Sequence, residues 1–359
     1  MPVNKVVIVE AAGKGKLSHS AYSLCSALSR YGCEVTLLTA KDYELDNLPR
    51  QYEVIKLFSE KGNLLSPWEH FSAARHIKRI NPDIVHFKWF PSATAGLALL
   101  KIVRLTTPAK LVYTPGNILP HKNRFSRIKW WAGIYNEMDA IIAHSDYCKA
   151  VLSDLFEIES GRILVVPDYV CFETLANLFT RKEARAALGL SDSARVALFF
   201  GYINKGKGVE YLIDAFARVK SQVSNAKLLI AGQPVDGFTD PAGLVTKNGL
   251  QNDVSLDLRY VPFLEMLKYF AAADTVVLPY TKKSQSPIHN LAGAFGKPVI
   301  CLKDSQSPED STLALARDIT MALGGSEVGA VNGYKPVELS WKQVAFFTYK
   351  AYSMAAGAA

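Results

Sequence analysis

The sequence predicts an α/β protein made of two doubly wound parallel-sheet domains, and three observations predict it. Short apolar, strand-like runs alternate with amphipathic stretches of helical period from Val6 to Val166. The alternation lapses over about residues 168–194, restarts at Arg195 and continues to 302. In each half, the first strand-like run passes through a glycine-containing turn into a helix. The chain has 359 residues, enough for two cores, because a single core stops growing at roughly 250–300 residues. The reading places one domain over 1–175, a second over 190–340, and a terminal helix over 341–354 that packs back on the first.

Element by element, Val6–Val9 reads as the first strand and Gly13-Lys14-Gly15-Lys16 as a loop. Ser18–Tyr31 reads as a helix with Tyr22, Cys25 and Leu28 on one face, ended by Gly32. Strands follow at Glu34–Leu38, Ile84–Phe87, Lys110–Tyr113, Ala140–Ala143 and Ile163–Val166; helices fall at Phe71–Ile80, Ala93–Arg104 and Tyr147–Phe156. Pro167-Asp168-Tyr169 closes this half, and the charged stretch Arg181–Leu188 reads as a connecting helix. The second half reads as strands at 195–200, 227–231, 257–261, 275–279 and 298–302, with helices at 209–222, 264–272 and 286–295. Trp341–Tyr352, with Val344, Phe347 and Ala351 on one face, is the terminal helix.

Apolar residues make up 49% and charged residues 21%, the usage of a packed globular chain. The five cysteines, Cys25, Cys33, Cys148, Cys171 and Cys301, are scattered without metal or disulfide spacing, which predicts a reducing, cytoplasmic setting. No apolar run approaches the roughly 18–20 residues of a membrane span. A formal charge of +8 and a pI near 9.1 favour anionic partners. Nucleic acid is not expected, since that reading rests on net charge with no matching motif. Lys122, Arg124, Arg127 and Lys129 lie beside Phe125, Ile128, Trp130 and Trp131. Such a mixture over Lys122–Trp131 suits peripheral contact with an anionic membrane, and equally suits a solvated helix start whose tryptophans are core.

Phe200-Gly201-Tyr202-Ile203-Asn204-Lys205-Gly206-Lys207-Gly208 joins an apolar strand to an amphipathic helix. Glycines let backbone approach an anion, and a fixed ammonium neutralises charge on a leaving phosphate. About eighty residues on, the strand Asp274–Tyr280 leads through Lys282-Lys283-Ser284-Gln285-Ser286-Pro287 into a helix that opens near Ile288. Two such turns in one half point to a nucleotide-sugar site. In the first half, Gly13 and Gly15 could bring backbone N–H groups to the same phosphates or form only a tight turn. Asn117 and His121, beyond a strand end, are candidates for contacting a sugar or an acceptor hydroxyl, with a satisfied buried histidine as the alternative. Trp68, Trp89 and Phe90 are read either as stacking platforms for an acceptor sugar or as core-edge packing. No Asp-x-Asp occurs, so neither a metal nor another cofactor is expected.

On these segments the second half resembles the retaining glycosyltransferases of family 4, which have the GT-B architecture of two Rossmann-like domains facing across a cleft. The resemblance rests on Phe200-Gly201, Lys207-Gly208-Val209, Leu212-Ile213, Ala215-Phe216, Leu229-Ile230-Ala231-Gly232, Ala273–Tyr280 and Gly296–Ile300. Ser284-Gln285-Ser286 and Asn117-Ile118-Leu119-Pro120-His121 are similar to the branch that builds bacterial exopolysaccharide, capsule and O-antigen. It implies transfer from a UDP- or GDP-sugar to a glycan or lipid-linked acceptor with retention of configuration, peripheral to the inner face of the membrane. It also implies catalytic roles for Lys207, His121 and Asn117. Donor contacts would come from Gly201, Tyr202, Asn204, Lys205, Gly208, Ser284, Gln285, Ser286, Pro287 and Ile288.

The chain departs from that family at five sites, the first being Lys16, which replaces the second of the family's two loop glycines, while Gly15 matches the first. Tyr202 stands where most members have arginine, Lys283 and Leu291 stand where they have paired glutamates, and Gly116 replaces a histidine. The missing histidine and glutamates keep a non-catalytic protein on the same scaffold in play; a nucleotide-sugar epimerase or hydrolase on this fold is a further alternative, one that would call for additional acidic and histidine residues.

Overall fold

The structure is a computed structural model that describes residues 3–59, 67–90, 92–116, 118, 128–166, 176, 178–235, 240–281, 287–302, 307–324 and 340–357. It forms two compact units, Met1–Cys171 with Leu339–Ala359, and Phe172–Glu338.

The first unit runs β1 (Lys5–Val9), α1 (Gly15–Arg30), β2 (Glu34–Ala40), β3 (Glu53–Phe58), α2 (Pro67–Ile80), β4 (Ile84–Phe87), α3 (Ala93–Thr106), β5 (Lys110–Tyr113), α4 (Ile128–Asn136), β6 (Ala140–Ala143), α5 (Asp146–Phe156) and β7 (Ile163–Val165). The strands pair in the order β3-β2-β1-β4-β5-β6-β7, all parallel. Strands buried on both faces read as continuous apolar runs, which is why Val6–Val9 and Ala140–Ala143 were legible. Val9 lies opposite both Leu38 and Phe87, so the order reverses between β1 and β4, and their carboxyl ends form the switch point where such sheets bind ligands. One face packs Phe58, Phe87, Leu111 and Tyr113 against Ile77, Leu100, Ile134 and Phe156 of the covering helices. Phe90 belongs to this core: it is 3% exposed, stacks on Phe87 and tilts against Tyr113. That settles it as packing rather than a sugar platform.

The second unit runs α6 (Arg181–Ala187), β8 (Arg195–Phe200), α7 (Val209–Gln222), β9 (Ala226–Ala231), α8 (Pro241–Lys247), β10 (Val254–Asp257), α9 (Phe263–Ala272), β11 (Thr275–Leu278), α10 (Pro287–Ala294), β12 (Val299–Cys301) and α11 (Pro308–Leu323). Its sheet is also parallel, ordered β10-β9-β8-β11-β12. Arg185 is fully buried and ties α6 down through Ala272 O, Asp192 O and the Asp274 carboxylate, which also accepts from Val196 N. α12 (Trp341–Ala355) belongs to the first unit and packs on α1, β5 and β6.

Several elements differ from the sequence reading. α1 starts at Gly15, so Gly15-Lys16 is its first turn rather than loop. β10 spans Val254–Asp257 rather than 257–261, because its register is set by pairing Val254 with Leu228 and Asp257 with Ala231. β3, α8 and α11 went unread, and α4 was read only as a helix start before Trp131. α11 had a signal: Ser307 accepts from Asp310 N as the amino-terminal cap, and Leu315, Ile319 and Leu323 recur at helical spacing in the core.

Candidate functional site

At the carboxyl ends of β8, β9 and β11, three turns of the second unit are laced together. Gly201 N donates to Ala231 O at 3.0 Å, Ile203 N to Gln233 O at 3.0 Å and Val235 N to Ile203 O at 3.0 Å. A Cβ on Gly232 would stand 1.9 Å from Gly201 O, at a φ of +147°, so only glycine lets these backbones touch. Residues 205–207 form one 3-10 turn, capped by Asn204, whose side-chain oxygen accepts from Gly206 N at 3.0 Å. Asn204 was read as a donor contact; that oxygen is engaged in shaping the turn. On the other side, Thr281 donates to Gly206 O through N (3.2 Å) and Oγ1 (3.3 Å). A Cβ on Gly208 would meet Pro279 O at 1.9 Å.

This bracing carries Lys207 to the ring of Tyr280, its Nζ 3.6 Å from the centroid. Burial lowers the pKa of this ammonium, and the electron-rich ring face compensates part of the lost hydration. Among the described residues no carboxylate pairs with it. Lys207 is thus a half-buried cation held by packing against Tyr280, just past the carboxyl end of β11. Lys205 is exposed and Tyr202 is 57% exposed. Ser284, Gln285 and Ser286 lie outside the described residues. Pro287 and Ile288 form the first turn of α10, and Leu291 is 2% exposed in the core, a packing residue. The sequence reading missed His289, whose Nε2 lies 3.4 Å from Cys301 Sγ. Burial raises the Cys301 pKa and keeps the thiol neutral; the only signal was a histidine one turn into a helix that follows a strand end.

In the first unit, the turn after β1 is built differently. Ala12 N (2.6 Å) and Gly13 N (3.1 Å) donate to the Glu10 carboxylate, as does Thr39 Oγ1 at 3.3 Å. Gly15 N donates to Glu44, which also holds His19 Nε2 at 2.8 Å, and Lys14 pairs with Asp42. The N–H groups of Gly13 and Gly15, read as approaching donor phosphates, are thus held by the protein's own carboxylates. Burial pushes the Glu10 carboxyl up to about 7, against the lowering effect of its N–H donors, Thr39 and Lys88.

Asn117 and His121 lie outside the described residues, as do Lys122–Arg127. Between Asn117 and His121, Ile118 O accepts from Tyr135 Oη at 2.8 Å, and among the described residues a Cβ on Gly116 would meet Leu17 Cδ2 at 3.6 Å. In α4, Trp130 is 49% exposed whereas Trp131 packs against the core. Trp68, in the first turn of α2 rather than a loop, is 80% exposed. No helix among the described residues is long and apolar enough to cross a membrane.

Residues 17–171 match the family Glycosyltransferase Family 4, and residues 194–321 match Glycosyl transferases group 1. The D-inositol 3-phosphate glycosyltransferase of Jonesia denitrificans is 28% identical over 61% of this chain and 55% of its own length; the chain spans about half the length of this relative. Sucrose-phosphate synthase of Thermosynechococcus elongatus superposes with a TM-score of 0.65 at 17% identity, covering 99% of this chain and 100% of the other. The Anabaena protein HepE, in complex with UDP and glucose, gives a TM-score of 0.61 at 18% identity over 99% and 95% of the two chains. Both structures share the GT-B fold with this chain.

Proposed function

We propose, for a GT-B chain that carries a Glycosyltransferase Family 4 domain and a Glycosyl transferases group 1 domain, that it moves a sugar from a UDP- or GDP-sugar to a hydroxyl acceptor. Transfer proceeds with retention of configuration and without a metal. The observation that carries the reading is the Lys207 ammonium, fixed over Tyr280 with no carboxylate partner among the described residues. As the bond between the anomeric carbon and the phosphate oxygen breaks, negative charge grows on the diphosphate, and a preorganised cation stabilises it more than it stabilises the ground state. The acceptor oxygen takes the anomeric carbon, and its proton passes to the departing diphosphate.

HepE binding UDP supports the donor class. A glycan or lipid-linked acceptor in cell-surface polysaccharide synthesis at the cytoplasmic membrane face follows from the resemblance, and within Lys122–Trp131 the exposed Trp130 is available for membrane contact. Relatives named D-inositol 3-phosphate glycosyltransferase support a small phosphorylated polyol as the competing acceptor.

The test incubates the full chain with a panel of UDP- and GDP-sugars, with and without lipid-linked glycan, inositol or inositol 3-phosphate. Release of nucleoside diphosphate that requires acceptor supports transfer. Acceptor-independent release indicates a hydrolase, and absence of donor binding indicates a non-catalytic scaffold; either result overturns the proposal.

A further inference from the structure

The first unit holds a cavity of about 30 Å³ at the carboxyl ends of β4, β5 and β6, roofed by α12 and lined among others by His86, Lys88, Thr114, His144, Ser20 and Thr348. One water needs roughly 10–15 Å³, so there is room for a small polyatomic group. Lys88 and Thr114 extend the strand ladder past the strand ends, with Lys88 N donating to Val9 O and Thr114 N to Phe87 O, each at 2.9 Å. They stand beside the switch point between β1 and β4.

The hydrogen bonds in the cavity wall run in one direction. Tyr352 Oη lies 2.8 Å from His86 Nδ1, and His86 Nε2 lies 2.7 Å from Thr114 Oγ1. Tyr352 is fully buried, and His86 is its hydrogen-bond partner among the described residues. Were Nδ1–H to donate to the phenol, the phenolic proton would be buried without an acceptor, at a cost of about 1–3 kcal/mol. Tyr352 therefore donates to Nδ1. His86 is fully buried, with Lys88 and His144 as the charges acting on it, and all three effects keep the ring neutral. A neutral ring that accepts at Nδ1 carries its proton on Nε2, which donates to Thr114 Oγ1. Thr114 then has its own hydroxyl proton left to give, at the wall of the cavity.

His144 Nδ1 lies 3.0 Å from the Val166 carbonyl oxygen, which can only accept, so that nitrogen too carries a proton. The nearby carboxylate, Glu10, offsets part of the Lys88 charge, and its oxygens already accept from Ala12 N, Gly13 N and Thr39 Oγ1.

We propose that the cavity is a subsite for an anionic group, a phosphoryl or a carboxylate, in which Lys88 and Thr114 donate to the anion. Tyr352 is the positioning residue: from the C-terminal helix it fixes, through His86, the direction in which Thr114 donates. The inference rests on the proposed transfer only for the source of the anion, which is either a charged group on the acceptor or free phosphate.

The binding test uses inorganic phosphate and the full chain carrying Lys207→Ala, which removes the donor-site cation, with calorimetry against a chloride control. Phosphate is expected to bind, about tenfold more weakly once Lys88→Met is added and about threefold more weakly with Tyr352→Phe, which keeps the ring and its packing. Imidazole ¹⁵N spectra are expected to show His86 protonated at Nε2. Failure to bind phosphate, equal affinity in the Lys88→Met protein, or a His86 protonated at Nδ1 would each overturn the subsite, whether or not the protein transfers sugar. In the otherwise wild-type protein, a KM rise in Lys88→Met for inositol 3-phosphate but not inositol identifies the acceptor as the source. Equal KM changes, with phosphate binding intact, identify free phosphate.

Discussion

After β1, the N–H groups of Ala12 and Gly13 donate to Glu10, that of Gly15 donates to Glu44, and Lys14 is paired with Asp42. After β8, the turn from Gly201 to Gly208 is braced by backbone carbonyls and by Asn204, and Lys207 rests on an aromatic ring. Both stretches pass from strand through glycines and lysines into a helix. In the first the anion is supplied by the protein itself and the local charge is neutralised. In the second a cation is held in place by packing, which leaves its charge for a ligand. A glycine-lysine turn thus reports a backbone shape; whether it binds phosphate depends on which acidic side chains the rest of the fold brings to it.

The largest break in this contrast is expected from Lys207→Ala, which removes the cation and lowers the transfer rate by about a hundredfold to a thousandfold. The melting temperature should move by only a few degrees. Retention of more than half the wild-type nucleoside diphosphate release would remove Lys207 from the chemistry. Next in size is Gly208→Ala: at φ +64° with Pro279 O at 1.9 Å from the added Cβ, it is expected to cost about 3 kcal/mol or more in denaturant unfolding of the second unit.

Glu10→Gln addresses the other turn. Folding raises the Glu10 pKa from 4.5 to about 7, so the native state binds the extra proton. Its stabilising contribution is complete below about pH 4.5 and is lost as pH rises through 7, with a slope of at most about 1.4 kcal/mol per pH unit. Urea unfolding between pH 4.5 and 7.5 should show that decline in the wild type and a flatter line in the variant. Parallel lines would mean that Glu10 titrates normally. The smallest effect is expected from Tyr280→Leu, which removes a cation–π contact worth about 0.5–2 kcal/mol and should raise the donor KM roughly threefold.

Much of this fold was legible because buried parallel strands announce themselves as short apolar runs between amphipathic helices. β3 escaped because Glu53–Phe58 is only partly buried, with one fully buried residue, Phe58, and so carries a weak apolar signature. β10 was displaced because Leu256, Leu258, Tyr260 and Val261 offer apolar residues on both sides of the true strand end, and pairing with β9 decides among them. Within the site, Lys207 and Gly208 were legible from local spacing. His86, Lys88 and Tyr352 were not: Tyr352 lies 266 residues from its partner, and no local pattern reports such a bond.

By itself the sequence determined the two parallel-sheet units and the glycine positions at their strand ends, because these follow from short-range periodicity and from steric limits on φ. Only the tertiary structure decided which of the two turns keeps an uncompensated cation, and that the C-terminal helix sets the donor direction at the end of β5. Charge compensation and buried hydrogen-bond direction depend on groups that are distant along the chain and adjacent only once it has folded.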